Sequence, residues 1–186
     1  MRPRALIQLL LISAVLLAAC SPRFDWREIK SAEAGFSILM PDKPQTATRE
    51  IDFDGRKIRM MIVSTGIGPT LFAAGMAQLP PESIAAPQLD ATLAWFRNAL
   101  VRNFDGQTNA VQPIVLSPAA AAGRMVRGGQ SVEARGRVGK DRRPGQLAAR
   151  FHVVDDRLYQ VVAIGAEGEL TADTLETFFT SFRLIK

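Results

Sequence analysis

The sequence predicts an α+β domain, built from antiparallel hairpins with helices packed on them. Three observations predict it. Two turn signals, Asp54-Gly55 and Asp155-Asp156, each separate two runs of β-forming residues. Leu89, Leu93, Phe96 and Leu100 recur at i, i+4, i+7 and i+11, the stripe of an amphipathic helix over about residues 88–103. Leu175, Phe178, Phe179 and Phe182 repeat at helical spacing near the end of the chain.

The chain opens with a segment that reads as targeting rather than fold. Arg2 and Arg4 form a positive start, and Ala5 to Ala19 form an apolar run too short to span a bilayer comfortably, since a spanning helix takes roughly 20 residues. Leu17-Ala18-Ala19-Cys20 has the pattern of a bacterial lipobox: small residues before the only cysteine in the chain. The expectation is a lipoprotein signal peptide over 1–19, cleavage between Ala19 and Cys20, and lipid on the Cys20 thiol. An ordinary secretory signal with a structural cysteine is the bland alternative. Lipidation leaves no thiol for a disulfide, a metal or catalysis. Ser21 follows the cysteine. By resemblance to enterobacterial sorting rules, the absence of Asp there favours the outer over the inner membrane. The expected location is the bacterial cell envelope, facing the periplasm.

Removal of residues 1–19 leaves 167 residues, the length of one domain, with Lys plus Arg falling from 23 to 21 against 18 acids. No charge argument for nucleic acid survives that balance. Residues 20–24 form a short tether, and the domain runs from 25 to 186.

The strands and helices follow in order. Trp26 to Lys30 and Gly35 to Met40 read as strands, with Pro41 to Pro44 stopping the second. Thr46 to Phe53 and Arg56 to Ser64 flank Asp54-Gly55, where glycine permits the positive φ of a tight turn. Leu71 to Ala77 is another strand, and Leu79 to Pro87 a loop. After the first helix, Asp105-Gly106 ends it, and Ile114 to Leu116 and Arg124 to Arg127 are short strand candidates. Phe151 to Val154 and Leu158 to Ile164 make the last hairpin. The second arm is apolar on both alternating faces apart from Gln160, so it reads as a central strand covered on both sides. Thr171 is placed to cap the final helix, with Asp173 and Glu176 near its positive end. Phe182 to Ile185 returns as an edge or closing strand. Phe24, Trp26, Trp95 and Tyr159 are read first as core.

Residues 128–146 stand apart. Arg135, Arg137, Lys140, Arg142 and Arg143 alternate with Gly136, Gly139, Pro144 and Gly145. From Arg124 through Arg150 there are eight bases and two acids, against −3 for the rest of the mature chain. The stretch reads as a long basic hairpin or mobile loop. Its bland reading is a solvated surface. Its sharper one is contact with anionic headgroups or an acidic partner through those five residues.

Trp26-Arg-Glu-Ile29, Gly35-Phe-Ser-Ile-Leu-Met-Pro41, Lys43-Pro44, Ala149-Arg-Phe-His-Val-Val154, Arg157-Leu-Tyr-Gln160 and Ser181-Phe-Arg-Leu184 occur in an order that resembles bacterial domains of the PsbP-like superfamily. That fold is shared by the extrinsic PsbP subunit of photosystem II, the Ran-binding Mog protein of yeast and bacterial lipoproteins of the DcrB and LpqN type. The resemblance implies an α/β/α sandwich, a mainly antiparallel β-sheet with helices on both faces. It implies an accessory, assembly or binding role rather than an enzyme. It transfers no catalytic residue, and against its pattern residues 128–146 read as an insertion.

Catalytic and cofactor signatures are absent from the sequence. His152 is the only histidine, on a strand between Phe151 and Val153, and a Ser-His-Asp triad would need it as base. There is no G-x-S-x-G elbow, P-loop, G-x-G-x-x-G or C-x-x-C, and one histidine is too few for a usual zinc site. The expectation is no catalytic residue, no metal and no cofactor. Three functions remain: an envelope lipoprotein that binds or assembles a protein partner, a carrier of an apolar or lipid-like ligand, and a small hydrolase using His152.

Overall fold

The computed structural model describes residues 24–185. Its strands are β1 (Arg27–Ser31), β2 (Phe36–Met40), β3 (Gln45–Phe53), β4 (Arg56–Ile67), β5 (Thr70–Gln78), β6 (Gln107–Pro113), β7 (Val126–Val138), β8 (Arg143–Val154), β9 (Arg157–Ala166) and β10 (Arg183–Leu184). Helices α1 (Ala86–Asn103) and α2 (Ala172–Thr180) interrupt them, and a 3-10 turn over Pro81–Ile84 precedes α1. Seven strands form one antiparallel sheet in the order β3-β4-β5-β9-β8-β7-β6. The ends of the domain form a second, three-stranded sheet, β1-β2-β10.

Alternation along β9 explains the layers. Leu158 and Val162 face one side and join Leu93 and Phe96 of α1 in one core cluster. Tyr159, Val161 and Ala163 face the other and join Phe36 and Ile38 of β2 and Phe178 of α2. With a helix layer on either face, β9 has no solvent side, and it occupies the middle of the large sheet. The expected central strand and the sandwich are therefore both present. The added feature is that β1, β2 and β10 do not extend the main sheet but lie with α2 over its second face. Both clusters are built from residues 24–185, so the domain carries its own core.

The two sequence-read turns close as expected. Asp54 (φ 51°) with Gly55 (φ 75°) links β3 to β4, and Asp155 (φ 53°) with Asp156 links β8 to β9. Thr171 accepts the Thr174 N–H at 3.2 Å through Oγ1 and caps α2. Helix α1 starts at Ala86 without a side-chain cap, using Pro87 in its first turn.

Two sequence expectations are corrected. The strand expected at Ile114 to Leu116 lies earlier, at β6. Its sequence, Gln-Thr-Asn-Ala-Val-Gln-Pro, carries no alternating apolar pattern because it is a solvent-facing edge. Pro113, lacking an N–H, ends it. The strand expected over Arg124 to Arg127 begins at Val126 and runs on to Val138. Residues 128–146 accordingly take the first of the two forms expected of them, a hairpin and not a mobile loop. They are the arms of the β7–β8 hairpin, paired without a break from Gly128↔Val153 to Val138↔Arg143. Inward positions Val132, Ala134, Val138, Leu147, Ala149 and Phe151 are buried, while Arg135 and Arg137 on β7 are exposed. Gly136 and Gly145 sit opposite each other in this ladder. A Cβ on Gly136 would lie 2.8 Å from the Phe104 ring and 2.8 Å from Gly106 Cα, and one on Gly145 2.5 Å from Val138. These glycines serve close packing, not a turn.

Candidate functional site: the basic hairpin and the clefts around the sheet

The hairpin tip is a turn at residues 139–142, with Gly139 at φ 71° and Arg142 at φ 49°. Arg142 pairs with Asp105, and Arg135 Nη1 lies 3.4 Å from Glu167. Arg137 Nη1 donates to the Arg142 carbonyl at 3.3 Å. Lys140 and Arg143 are exposed and form no ion pair among the described residues. The structure thus brings the five predicted bases onto one hairpin, but it matches two of them with acids from elsewhere in the chain.

Strand register places the tip. Gly145 of β8 pairs with Ala166 of β9, and Leu71 of β5 pairs with Ile164. The tip therefore projects from the same end of the sheet as the β4–β5 turn. Phe24, where the described chain begins, is buried with its ring 5.4 Å from that of Phe72, close to that same end. Ala19 and Cys20 lie outside the described residues.

His152 does not lie on an open sheet surface. It is 4 % exposed and faces the second layer, where its ring stacks on Phe182 at 6.0 Å and 9°. Burial, and secondarily the charge of Arg150, push its pKa down to about 4, so the ring is neutral at ordinary pH. Nδ1 has no hydrogen-bond partner, and no Ser, Asp or Glu side chain hydrogen-bonds to His152 among the described residues. The general base of a triad needs both a nucleophile and an orienting carboxylate within reach, so the His152 hydrolase lacks its geometry here.

Beside it Asp155 ties the turn to the preceding loop. Its carboxylate accepts from Arg124 Nε at 2.7 Å and from the Met125 N–H at 3.1 Å, and Arg124 Nη1 also bonds the Tyr159 hydroxyl at 3.1 Å. The Arg124 hydrogen bond, against a smaller opposing effect of burial, holds the Asp155 carboxyl below the usual range. The Asp pair is thus a structural turn. Among the described residues no group of three or more His, Cys, Asp or Glu could hold a metal ion, and no helix is long and apolar enough to cross a membrane.

Besides a polar cleft of about 530 Å³ along the hairpin, between Asp105, Arg135, Arg137 and Glu167, two clefts with aromatic walls have the size of ligand sites. A groove of about 580 Å³ opens at the far end of the sheet, between the β3–β4 turn and α1, lined by Phe53, Trp95, Pro80 and Thr92, with Arg56 and Glu82 paired at 2.5 Å. Trp95 packs edge-on to Phe53 at 5.1 Å and is only partly buried, so it is both core and wall. The second cleft, about 410 Å³, lies between β8, α2 and the Ile114–Ala120 loop and contains Arg150 and His152.

No protein-family model and no curated protein matches the chain. Solved structures do. The cyanobacterial PsbP of Synechocystis superposes with a TM-score of 0.54 over 89 % of this chain and 95 % of its own, at 13 % identity. The fold is PsbP-like. A Pseudomonas aeruginosa protein of unknown function is also similar, at 14 % identity over 78 % of this chain and 85 % of its own, with a TM-score of 0.39. At such identities the PsbP-like likeness speaks to the fold, and function has to be argued from this chain's own residues.

Proposed function

We propose that this protein is a non-enzymatic bacterial envelope lipoprotein, held by lipid on Cys20 and acting as an accessory or binding factor for an envelope protein. The lipobox pattern carries the reading, and among the described residues His152 has no nucleophile and no carboxylate bonded to it. Phe24 is already core, so the tether from Cys20 is four steps, at most about 14 Å of extended chain. The domain then rides close to the headgroups, with the β7–β8 tip at its membrane-proximal end. Lys140, Arg143 and Arg137 meet anionic lipid there, and the groove at Phe53 and Trp95 faces outward.

Two experiments test this. Cys20→Ser is expected to release the protein from membranes or leave it unprocessed; unchanged retention with normal maturation sinks the lipid anchor. The unlipidated chain is expected to float with anionic vesicles at low salt and to lose that binding as salt rises. No flotation at low salt removes the membrane-facing hairpin and leaves it as a partner surface. The groove of about 580 Å³ favours a second reading, a carrier of an apolar or lipid-like ligand. Lipid extracted from the purified protein and lost on Trp95→Ala would favour the carrier over the accessory role.

A further inference from the structure

Arg150 and the cleft around it remain unexplained by any of this. Arg150 stands on β8 facing the second layer, half-buried, with its guanidinium carbon 4.7 Å from the centre of the Phe179 ring. Among the described residues its guanidinium forms no ion pair and no hydrogen bond. Its side chain meets the Phe179 ring and the neutral His152 instead. A guanidinium has five N–H donors in a planar fork, and withdrawing it from water without an anion is costly. Burial alone pulls Arg150 below the ordinary arginine range, the mark of a cation short of compensation.

The surroundings define what compensates it. The cleft of about 410 Å³ is walled by Ile114, Leu116, Phe179 and Phe182, and Val115 stands at its rim 79 % exposed. Ser117 Oγ accepts the Ala120 N–H at 3.3 Å, which leaves its own proton to donate. Thr180 is spent on the Glu176 carbonyl at 2.7 Å. His152 adds no charge. The site therefore offers one cation, one free hydroxyl proton and an apolar wall.

We propose that this cleft binds a small amphipathic monocarboxylate, its carboxylate forked onto Arg150 and bonded by Ser117, its apolar body against Ile114 and Val115 and the accessible edge of Phe179. One cation selects a single negative charge, and the wall selects a hydrocarbon body over a bare ion. The volume lies in the range of small-molecule sites, roughly 300–1,000 Å³. This site is separate from the groove at Trp95 and does not depend on lipidation or on a membrane partner.

The test is titration of residues 20–186 carrying Cys20→Ser with octanoate, octanol and acetate, followed by the Nε–H signal of Arg150 and by calorimetry. Octanoate is expected to saturate with a Kd near or below about 1 mM, and octanol and acetate to bind at least about tenfold more weakly. Arg150→Gln is expected to weaken octanoate about tenfold or more while Arg59→Gln, an exposed residue of β4, leaves it unchanged. If Arg150→Gln does not fold, Arg150→Lys keeps the charge without the fork and is expected to bind less tightly than the unsubstituted protein. Octanol binding as well as octanoate, the Arg150 variant binding as tightly as the unsubstituted protein, or no saturable octanoate binding each overturns the proposal. Because no vesicle or partner is present, these outcomes leave the envelope reading untouched.

Discussion

The arginines at the tip of the β7–β8 hairpin and Arg150 further along the same hairpin behave in opposite ways. Those of the β7–β8 tip are conspicuous in the sequence and exposed in the fold, and two of them, Arg135 and Arg142, already meet Glu167 and Asp105. Arg150 is a single residue in an apolar run, half-buried, with an aromatic ring for support and no acid. Charge density along the chain draws attention to the first group. Cost of burial draws it to the second, because water solvates the tip whatever its partners, and a guanidinium in a cleft has few alternatives. The same contrast separates His152, neutral and enclosed, from the lysine at the tip.

The largest expected effect belongs to the enclosed side. His152 is neutral in the fold with its pKa depressed to about 4, against about 6.5 in an unfolded chain. The unfolded state thus binds more protons between those values, so stability is fully present above the unfolded pKa and is lost as pH falls towards 4. The expected loss is up to about 3 kcal/mol between pH 7 and pH 4. Denaturant midpoints measured across that range, with and without His152→Phe, check it. The substitution should flatten the acid slope. An unchanged slope would show that His152 charges freely and that the second layer opens to water.

The next effect sharpens what the hairpin is. An exposed loop tolerates a larger residue at Gly136, whereas a packed strand facing Phe104 and Gly106 does not. Gly136→Val is expected to destabilise by about 1–3 kcal/mol, read from the urea midpoint, and Gly139→Ala in the turn, whose Cβ meets nothing within 4 Å, by about 1 kcal/mol from its positive φ alone. The reverse order would return residues 128–146 to the status of a loop.

That pair of glycines also explains what was legible in the sequence. Periodicity gave α1, α2, both tight turns and the central position of β9, since each depends on local spacing of apolar residues or on turn chemistry. The hairpin was ambiguous because Gly136 and Gly145 look like turn residues, and only the approach of Phe104 and Val138 shows why a side chain is excluded there. Strand β6 was missed because an exposed edge needs no apolar face. Arg150 was hidden for a related reason. Its position beside Phe151 and His152 is plain, but the absence of an acid opposite it is a property of the assembled layer. Asp155 was legible as a turn, while its bond to Arg124 was not.

The smallest effect belongs to the tip. Arg142 and Asp105 are both largely exposed, and such pairs contribute roughly 0–1 kcal/mol, reduced further by salt. Arg142→Ala is expected to shift the unfolding midpoint barely at all, by less than about 0.5 kcal/mol, because water takes over the hydrogen bonds on both sides. It should leave octanoate affinity at the Arg150 cleft unchanged, since it belongs to the turn before β8, eight residues from Arg150. Its visible consequence should be confined to vesicle flotation at low salt, where each basic residue near an anionic surface contributes about 1 kcal/mol. A stability loss well above 1 kcal/mol would mean that the Arg142–Asp105 pair clamps the tip to the end of α1, and the exposed arginines would then be structural rather than free for a surface.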